Sequence, residues 1–519
     1  MTQRKILWID DEIDQLRAHI KFLEKRGYKV LIASNASDGI DLVKISPPDV
    51  ILMDEMMPGL DGLSAIEQVR RIDKRIPIIM VTKSEEENIM EEAIGQQIAD
   101  YIVKPVNPLQ ILTSLKKLFD SQRIVGERLT RNYTEEYRDV YDKLSTRMEP
   151  ADWLEIANWL SEWDLLFDER PDLALSETHE TFRKEVNSEF AKYIIANYVD
   201  WIHKNIPERP MMSVDIFKKY VVPNIKQGKK VMFVVIDCMR YDQWLVVEPL
   251  LANYFDVKTD LYYSILPSAT PYARNALFAG LFPYDIQKAY PKIWSRGQVD
   301  PGSHNRYEHE LLDHQLARLN IDLKTDSKYI KVLDPEEGES LIRRLNTFIS
   351  APISAVVINF LDIMTHSRAA SDILKELSPD EKGQRAVMKA WFTQSSLFKA
   401  LQQASDDKNL TVILTTDHGS TIGRRGIKAY GKRETSTNLR YKYGDNLNVD
   451  PKGGILIKDP KEWRLPVFSL TTNYIIAKED YYLVYPTNFN EYERQYRNSF
   501  LHGGISIEEM IIPVATLTT

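Results

Sequence analysis

The sequence predicts an α/β chain in three parts: a small doubly wound domain over residues 1–121, a helical segment over 122–207, and a large α/β domain over 208–519. Three observations carry that division. Short apolar runs alternate with helix-length spacers over the first stretch, the alternation stops in the second, and it resumes in the third.

The first stretch supplies five strand-like runs, "KILWID", "KVLIA", "DVILMD", "IPIIMVT" and "DYIVK". Apolar runs of this length, separated by amphipathic spacers, predict five parallel strands with helices on both faces. Residues 122–207 hold no such run and few glycines, but Trp153, Ile156, Trp159, Leu160 and Trp163 recur at helical spacing. That stripe reads as core or a dimer surface. Pro207 and Pro210 in "IPERPMM" discourage helix continuation and close the segment. From there "KKVMFVVID", "FDVKTDLYYSILPSATP", "ISAVVINFLD", "LTVILTTDHG" and "DYYLVYP" predict the strands of one large domain. Gly419 to Tyr443, rich in Gly, Lys, Arg and Ser, reads as a mobile loop.

At 519 residues, 43% apolar and 27% charged, the chain can bury sizeable cores. A net charge of −8 gives no general pull toward nucleic acid or an anionic membrane. The single cysteine, Cys238, excludes an internal disulfide framework and fits a reducing compartment. No signal-peptide apolar region precedes "KILWID", and no run reaches the roughly 18 apolar residues of a membrane span. The expectation is a cytoplasmic protein.

In an open parallel sheet, functional groups gather at the carboxyl ends of the strands. Here those ends carry Asp10, Asp11 and Glu12, then Asp54, Thr82 and Lys104. An acidic cluster suits a hard divalent ion such as Mg²⁺. Asp54 is then set as a nucleophile toward a phosphoryl group, whose new oxygens Lys104 and the Thr82 hydroxyl can bind. The ordered set "DDE", "DEMMPGLDG", "VTK", "DYIVKP" resembles a CheY-like response-regulator receiver domain. The resemblance implies Asp54 as phospho-acceptor, and Asp10, Asp11, Asp54 and the Met56 carbonyl around Mg²⁺. It also implies Thr82 and Tyr101 as switch residues, with Lys104 bridging to the phosphoryl group.

The segment after the receiver lacks a basic recognition helix and a compact glycine turn, which disfavours direct DNA binding. The output therefore falls to the large domain. There "VVINFLDIMTH" runs from a buried strand into Asp362 and His366, four residues apart and so on one face of a helical turn. That spacing suits two ligands of one zinc ion. Other strand ends add Asp237, Asp417, His418 and His502. Three carboxylates and three imidazoles are too many for one tetrahedral zinc, whereas two metals roughly 4 Å apart would use them all in a phosphoryl displacement. In "LPSATPYARNALFAG", Pro271 marks a helix start and places Thr270 as N-cap, with its hydroxyl at the positive end of the helix. Zinc would make its alkoxide accessible.

This constellation, in this chain order, is similar to the alkaline phosphatase superfamily and its PglZ branch. The resemblance implies Asp362, His366 and His502 at one zinc, Asp237, Asp417 and His418 at the other, and Thr270 as the nucleophile, forming a phospho-threonine intermediate. A threonine there is what the superfamily's phosphodiesterases use. No motif secures the arginine clamp of the phosphomonoesterases. Arg274 and Asn275, one turn after Thr270, are candidates for holding substrate phosphate; Arg424, Arg425 and Lys432 read as a solvated basic loop.

Cys238, next to Asp237, is expected to point into the core by strand alternation. "HELLDH" fails as a metalloprotease motif because its histidines are five apart. His19, His179 and His203 read as surface or packing residues. As a whole, the chain resembles the receiver–PglZ response regulators of the type IX secretion system and gliding motility. That resemblance implies a partner histidine kinase, phosphorylation-promoted homodimerisation, a sigma factor and an inner-membrane secretion motor protein. The function expected is a response regulator with a zinc-dependent phosphodiesterase effector acting on small or cyclic oligonucleotides. The alternative is a scaffold with a structural metal site that docks proteins when phosphorylated.

Overall fold

The structure is a computed structural model that describes residues 3–73, 76–83, 98–204, 206–295, 305–323, 325–368, 371–431, 438–487 and 489–519, without the side chains of 121, 122, 294 and 295. It divides into two compact units, Met1–Glu135 and Glu136–Thr519.

In the first unit β1 (Lys5–Ile9), β2 (Lys29–Ala33), β3 (Val50–Asp54), β4 (Ile78–Thr82) and β5 (Asp100–Val103) form one sheet in the order β2-β1-β3-β4-β5. All four pairings are parallel, in keeping with the doubly wound expectation. Alternation explains why the runs are apolar throughout. Leu7, Ile9, Ile51, Met53 and Met80 fill one face, and Ile6, Trp8, Val50, Leu52 and Ile79 the other. Asp61 caps the helix Gly62–Ile72 by accepting the Ser64 N–H.

The second unit is built on a six-stranded sheet. Four strands are mutually parallel: β6 (Lys230–Ile236), β8 (Lys328–Val332), β9 (Ile353–Ile358) and β10 (Leu410–Thr415). The C-terminal strand, Ile511–Thr518, runs antiparallel between β10 and β7 (Asp256–Tyr263). Two of these strands escape a pattern reading. Lysines flank the short apolar core of β8, as on an edge strand, and Pro513 interrupts the C-terminal run.

One expectation about this unit is corrected below. From Glu136 onward the helices of segment 122–207 pack within the second compact unit. Trp153, Ile156 and Leu160 of helix Pro150–Glu169, and Phe182, Phe190 and Tyr198 of helix Ser176–His203, share one buried cluster with Val231, Phe233 and Tyr263 of the sheet. A two-helix segment with an aromatic stripe needs a partner surface, and the sheet provides it. Buried ion pairs add to the join: Arg183 binds Asp164 and faces Glu381, and Arg385 binds both Asp168 and Asp242.

The span Gly419 to Tyr443 is not simply a mobile loop. It contains the strands Thr421–Gly423 and Arg425–Tyr430, and Ile427 and Ala429 pack on Ile475, Tyr481 and Leu483. "DYYLVYP" does form a strand, Tyr481–Val484, which pairs with Arg425–Tyr430 outside the main sheet.

One buried pair fixes the approach to His502. Arg440 and Glu509 are fully buried and bonded to one another, and Glu509 also accepts the Gly504 N–H at 2.8 Å. Glu509→Ala is expected to cost about 3–5 kcal/mol, because it strands the guanidinium in the core. An unfolding transition in denaturant at the wild-type midpoint would contradict this. Among the described residues, no helix is long and apolar enough to cross a membrane.

Candidate functional site

At the carboxyl end of the first sheet, Asp10, Asp11 and Asp54 offer carboxylate oxygens within 4.8 Å of one another, a donor set that fits Mg²⁺. Lys104 Nζ lies 3.0 Å from Asp10 and 2.9 Å from Asp54. Burial pushes the Asp54 carboxyl up against the pull of Lys104. Burial would lower Lys104, but its bonds to Asp54 and Asp10 outweigh that and raise it. The Thr82 hydroxyl donates to Glu55, a residue that no motif singled out. Tyr101 lies half-buried beside the cluster that contains Met53 and Met80.

At the carboxyl end of the second sheet, two clusters form. Asp362, on the first turn of helix Phe360–Arg368, has Oδ1 3.3 Å from His366 Nε2 and 3.4 Å from His502 Nε2. The two imidazole Nε2 atoms are 3.1 Å apart. Burial works to raise Asp362, yet the hydrogen bonds of the two histidines hold it well below the usual carboxylate range. In the second cluster His418 Nε2 is 3.7 Å from Asp237 and 3.6 Å from Asp417. The rings of His418 and His502 stack with centroids 4.4 Å apart, so the clusters are neighbours.

Both clusters fit divalent metals. Asp417 Oδ2 is buried with no hydrogen-bond partner among the described residues. His418 Nδ1 lies 3.0 Å from the Gly419 carbonyl. With the proton on Nδ1, that contact fixes the tautomer and leaves the Nε2 lone pair to a ligand. Burial pushes His418 and His502 down, toward the neutral form a metal needs. It also pushes Asp237 up to about 7 and raises Asp417, the strain of crowded carboxylates that a cation relieves.

Thr270 sits between these groups. Its Oγ1 is 3.3 Å from Asp237 Oδ1 and 3.0 Å from His418 Nε2. The helix begins at Thr270 itself, with Ala269 rather than Thr270 as the N-cap, a shift of one residue that leaves the hydroxyl at the helix N-terminus.

Arg274 and Asn275 are buried and bonded within the protein. The Arg274 guanidinium is buried and binds Asp237 Oδ2 at 2.5 Å and Glu308 at 2.6 Å. Asn275 is buried and donates to the Pro271 carbonyl at 3.0 Å. One turn after Thr270 the helix already faces inward, which the position in sequence does not reveal. Arg424 pairs with Glu180 at 2.9 Å and Arg425 with Glu479 at 2.7 Å. Lys432 lies outside the described residues.

Cys238 is a buried thiol, although not by alternation. β6 ends at Ile236, and Cys238 turns left-handed (φ 66°) so that its N–H reaches Asp417 at 3.3 Å. Pattern reading also missed Asn359, which donates to Asp237 Oδ2 at 2.7 Å. Its place directly after β9 is the one signal that points to it.

Three family models match the chain. Residues 216–517 match the BREX system PglZ alkaline phosphatase-like domain. Residues 6–116 match the response regulator receiver domain, and residues 123–202 the PorX response regulator linker domain. Protein PilH of Pseudomonas aeruginosa is 36% identical over 113 residues, 21% of this chain and 93% of PilH. The alkaline phosphatase synthesis transcriptional regulatory protein PhoP of Bacillus subtilis is 31% identical over 125 residues, 24% of this chain. That match spans 51% of PhoP, about half its length.

Among solved structures, the Vibrio cholerae chemotaxis protein CheY4 is 27% identical, covering 22% of this chain and 98% of its own, with a TM-score of 0.22. A CheY-like receiver domain protein from Methanospirillum hungatei is 28% identical, covering 24% and 98%, with a TM-score of 0.23.

Fold and site therefore define a response-regulator receiver joined to an alkaline-phosphatase-like domain. The PglZ match takes in more than half of the 519 residues, and the chain belongs to the PglZ family. Its receiver, linker and PglZ matches together are those of a PorX-type regulator.

Proposed function

We propose that this is a two-component response regulator phosphorylated on Asp54, whose effector is a zinc-dependent phosphodiesterase acting on small or cyclic oligonucleotides in the control of type IX secretion and gliding. The observation that carries the catalytic reading is the Thr270 hydroxyl, set at a helix N-terminus within 3.3 Å of both Asp237 and His418. Zinc held by Asp362, His366 and His502, and by Asp237, Asp417 and His418, would supply Lewis-acid activation of the hydroxyl and charge neutralisation.

The chain's own residues do the rest. Asp237 accepts the Thr270 hydroxyl in a hydrogen bond and so orients Oγ1. Arg274 and Asn359 hold Asp237 in place from behind. Thr270 Oγ1 bonds to phosphorus as the ester oxygen leaves, giving a phospho-threonine that water then hydrolyses.

The donor to Asp54 is a histidine kinase, and phosphorylation promotes homodimerisation. A sigma factor and an inner-membrane motor protein of the secretion system complete the proposed partners, and the site of action is the cytoplasm. Asp54→Asn is expected to accept no phosphoryl group from acetyl phosphate and to keep the unphosphorylated sedimentation profile. Phosphorylation of that variant at the wild-type level would place the acceptor elsewhere.

The experiment that tests the function is a panel of mono- and diesters assayed on phosphorylated and unmodified protein. Diester turnover supports the reading. No turnover, with a phosphorylation-dependent change of assembly intact, favours the protein-docking scaffold.

A further inference from the structure

Arg274 is committed to Asp237 and Glu308 and is not free to hold the phosphoryl oxygens of a substrate at Thr270. Another cation reaches the same place. Lys331 is the next-to-last residue of β8, which runs parallel to β9, so it ends at the sheet edge that carries Asp237, Asp362 and Asp417. Alternation puts Tyr329 and Lys331 on one face of β8, and Ile330 and Val332 on the other. Ile330 and Val332 join the cluster that holds Ile236 and Ile358. Tyr329 instead packs on Phe278, in the helix that Thr270 begins. Lys331 therefore lies on the nucleophile's face, at the functional edge.

Its ammonium is loosely held. Among the described residues its contacts are the Asn305 carbonyl at 3.5 Å and the Glu308 carboxylate at 3.8 Å, both at or beyond the outer limit of a hydrogen bond. Glu308 is already bonded by Arg274 and Tyr329. The Asn305 side chain donates to the Thr270 carbonyl at 3.2 Å, so a single residue separates Lys331 from the nucleophile. Lys331 feels the charge of both Asp237 and Asp417, and its side chain keeps 24% of its surface open.

We propose that Lys331 binds the non-bridging oxygens of the phosphoryl group that Thr270 attacks, in the position an arginine clamp would fill. Three N–H donors on a flexible stem suit a tetrahedral anion that changes charge during transfer. The inference rests on the phosphodiesterase reading but has a test of its own.

The test uses the full-length protein with Lys331→Met, Lys331→Gln and Lys331→Arg. It reads inorganic phosphate binding by calorimetry, and kcat and KM on a chromogenic phosphodiester. Lys331→Met is expected to weaken phosphate binding by about tenfold or more and to lower kcat by roughly 10²-fold. Lys331→Arg should restore most of the phosphate binding, and zinc content should not change. A lysine that only balanced Glu308 would move the melting temperature and leave phosphate affinity alone.

Phosphate affinity within twofold of wild type in folded Lys331→Met, or in Lys331→Gln should the methionine variant not fold, overturns the assignment. So does a wild-type protein that binds no phosphate. If Lys331 governs phosphate binding but the wild type hydrolyses no ester, the anion site stands and the hydrolase reading fails.

Discussion

Thr270→Val is expected to abolish hydrolysis of phosphodiesters while leaving fold and metal ligands in place. Valine keeps the β-branched shape at the first position of the helix and replaces one group, the Oγ1 hydroxyl that faces Asp237 and His418, by a methyl. A reaction that proceeds through a bond from that oxygen to phosphorus has no substitute for it, so the loss should be at least roughly 10³-fold in kcat. Thr270→Ser, which restores a hydroxyl at the same place, should retain measurable turnover. A chromogenic diester assay reads both, with circular dichroism and zinc content as controls. Undiminished turnover in Thr270→Val would rule out the nucleophile.

The second large effect concerns the metal cage. His502→Ala removes a donor that stands 3.4 Å from Asp362 and 3.1 Å from His366. The remaining pair, Asp362 and the exposed His366, offers too few ligands for tight binding. Elemental analysis is expected to fall from two zinc ions per chain to about one, and turnover should be lost with it. In wild type, a chelator should lower the melting temperature, because an ion that binds only the folded state stabilises it by mass action. A His502→Ala protein with full zinc content would show that the cluster is not a ligand set. An unmoved melting temperature would show that no ion contributes to the fold.

How legible was this molecule in its sequence? Wherever a strand is buried on both faces, its residues must be apolar in an unbroken run, and the sequence shows it. Val356 to Ile358 and Val231 to Ile236 are such cases. The residues that follow those runs emerge at one sheet edge by topology, so Asp237, Asp362 and Asp417 could be singled out without coordinates.

What stayed hidden depends on partners distant in the chain. The sequence does not show that Arg274 bonds to Glu308, 34 residues on. β8 hides because an edge strand tolerates lysine, and that same lysine is what makes it interesting. The Trp153 stripe announces a buried face but not which surface buries it. The structure shows it sharing a core with Tyr263 and Val231.

The most direct test of the account is anomalous diffraction at the zinc edge from crystals of the full chain grown with zinc. The account predicts two peaks beside Thr270, one bounded by Asp362, His366 and His502 and the other by Asp237, Asp417 and His418, each with ligand distances of roughly 2.0–2.2 Å. Peaks elsewhere, or none at these six side chains, would contradict it.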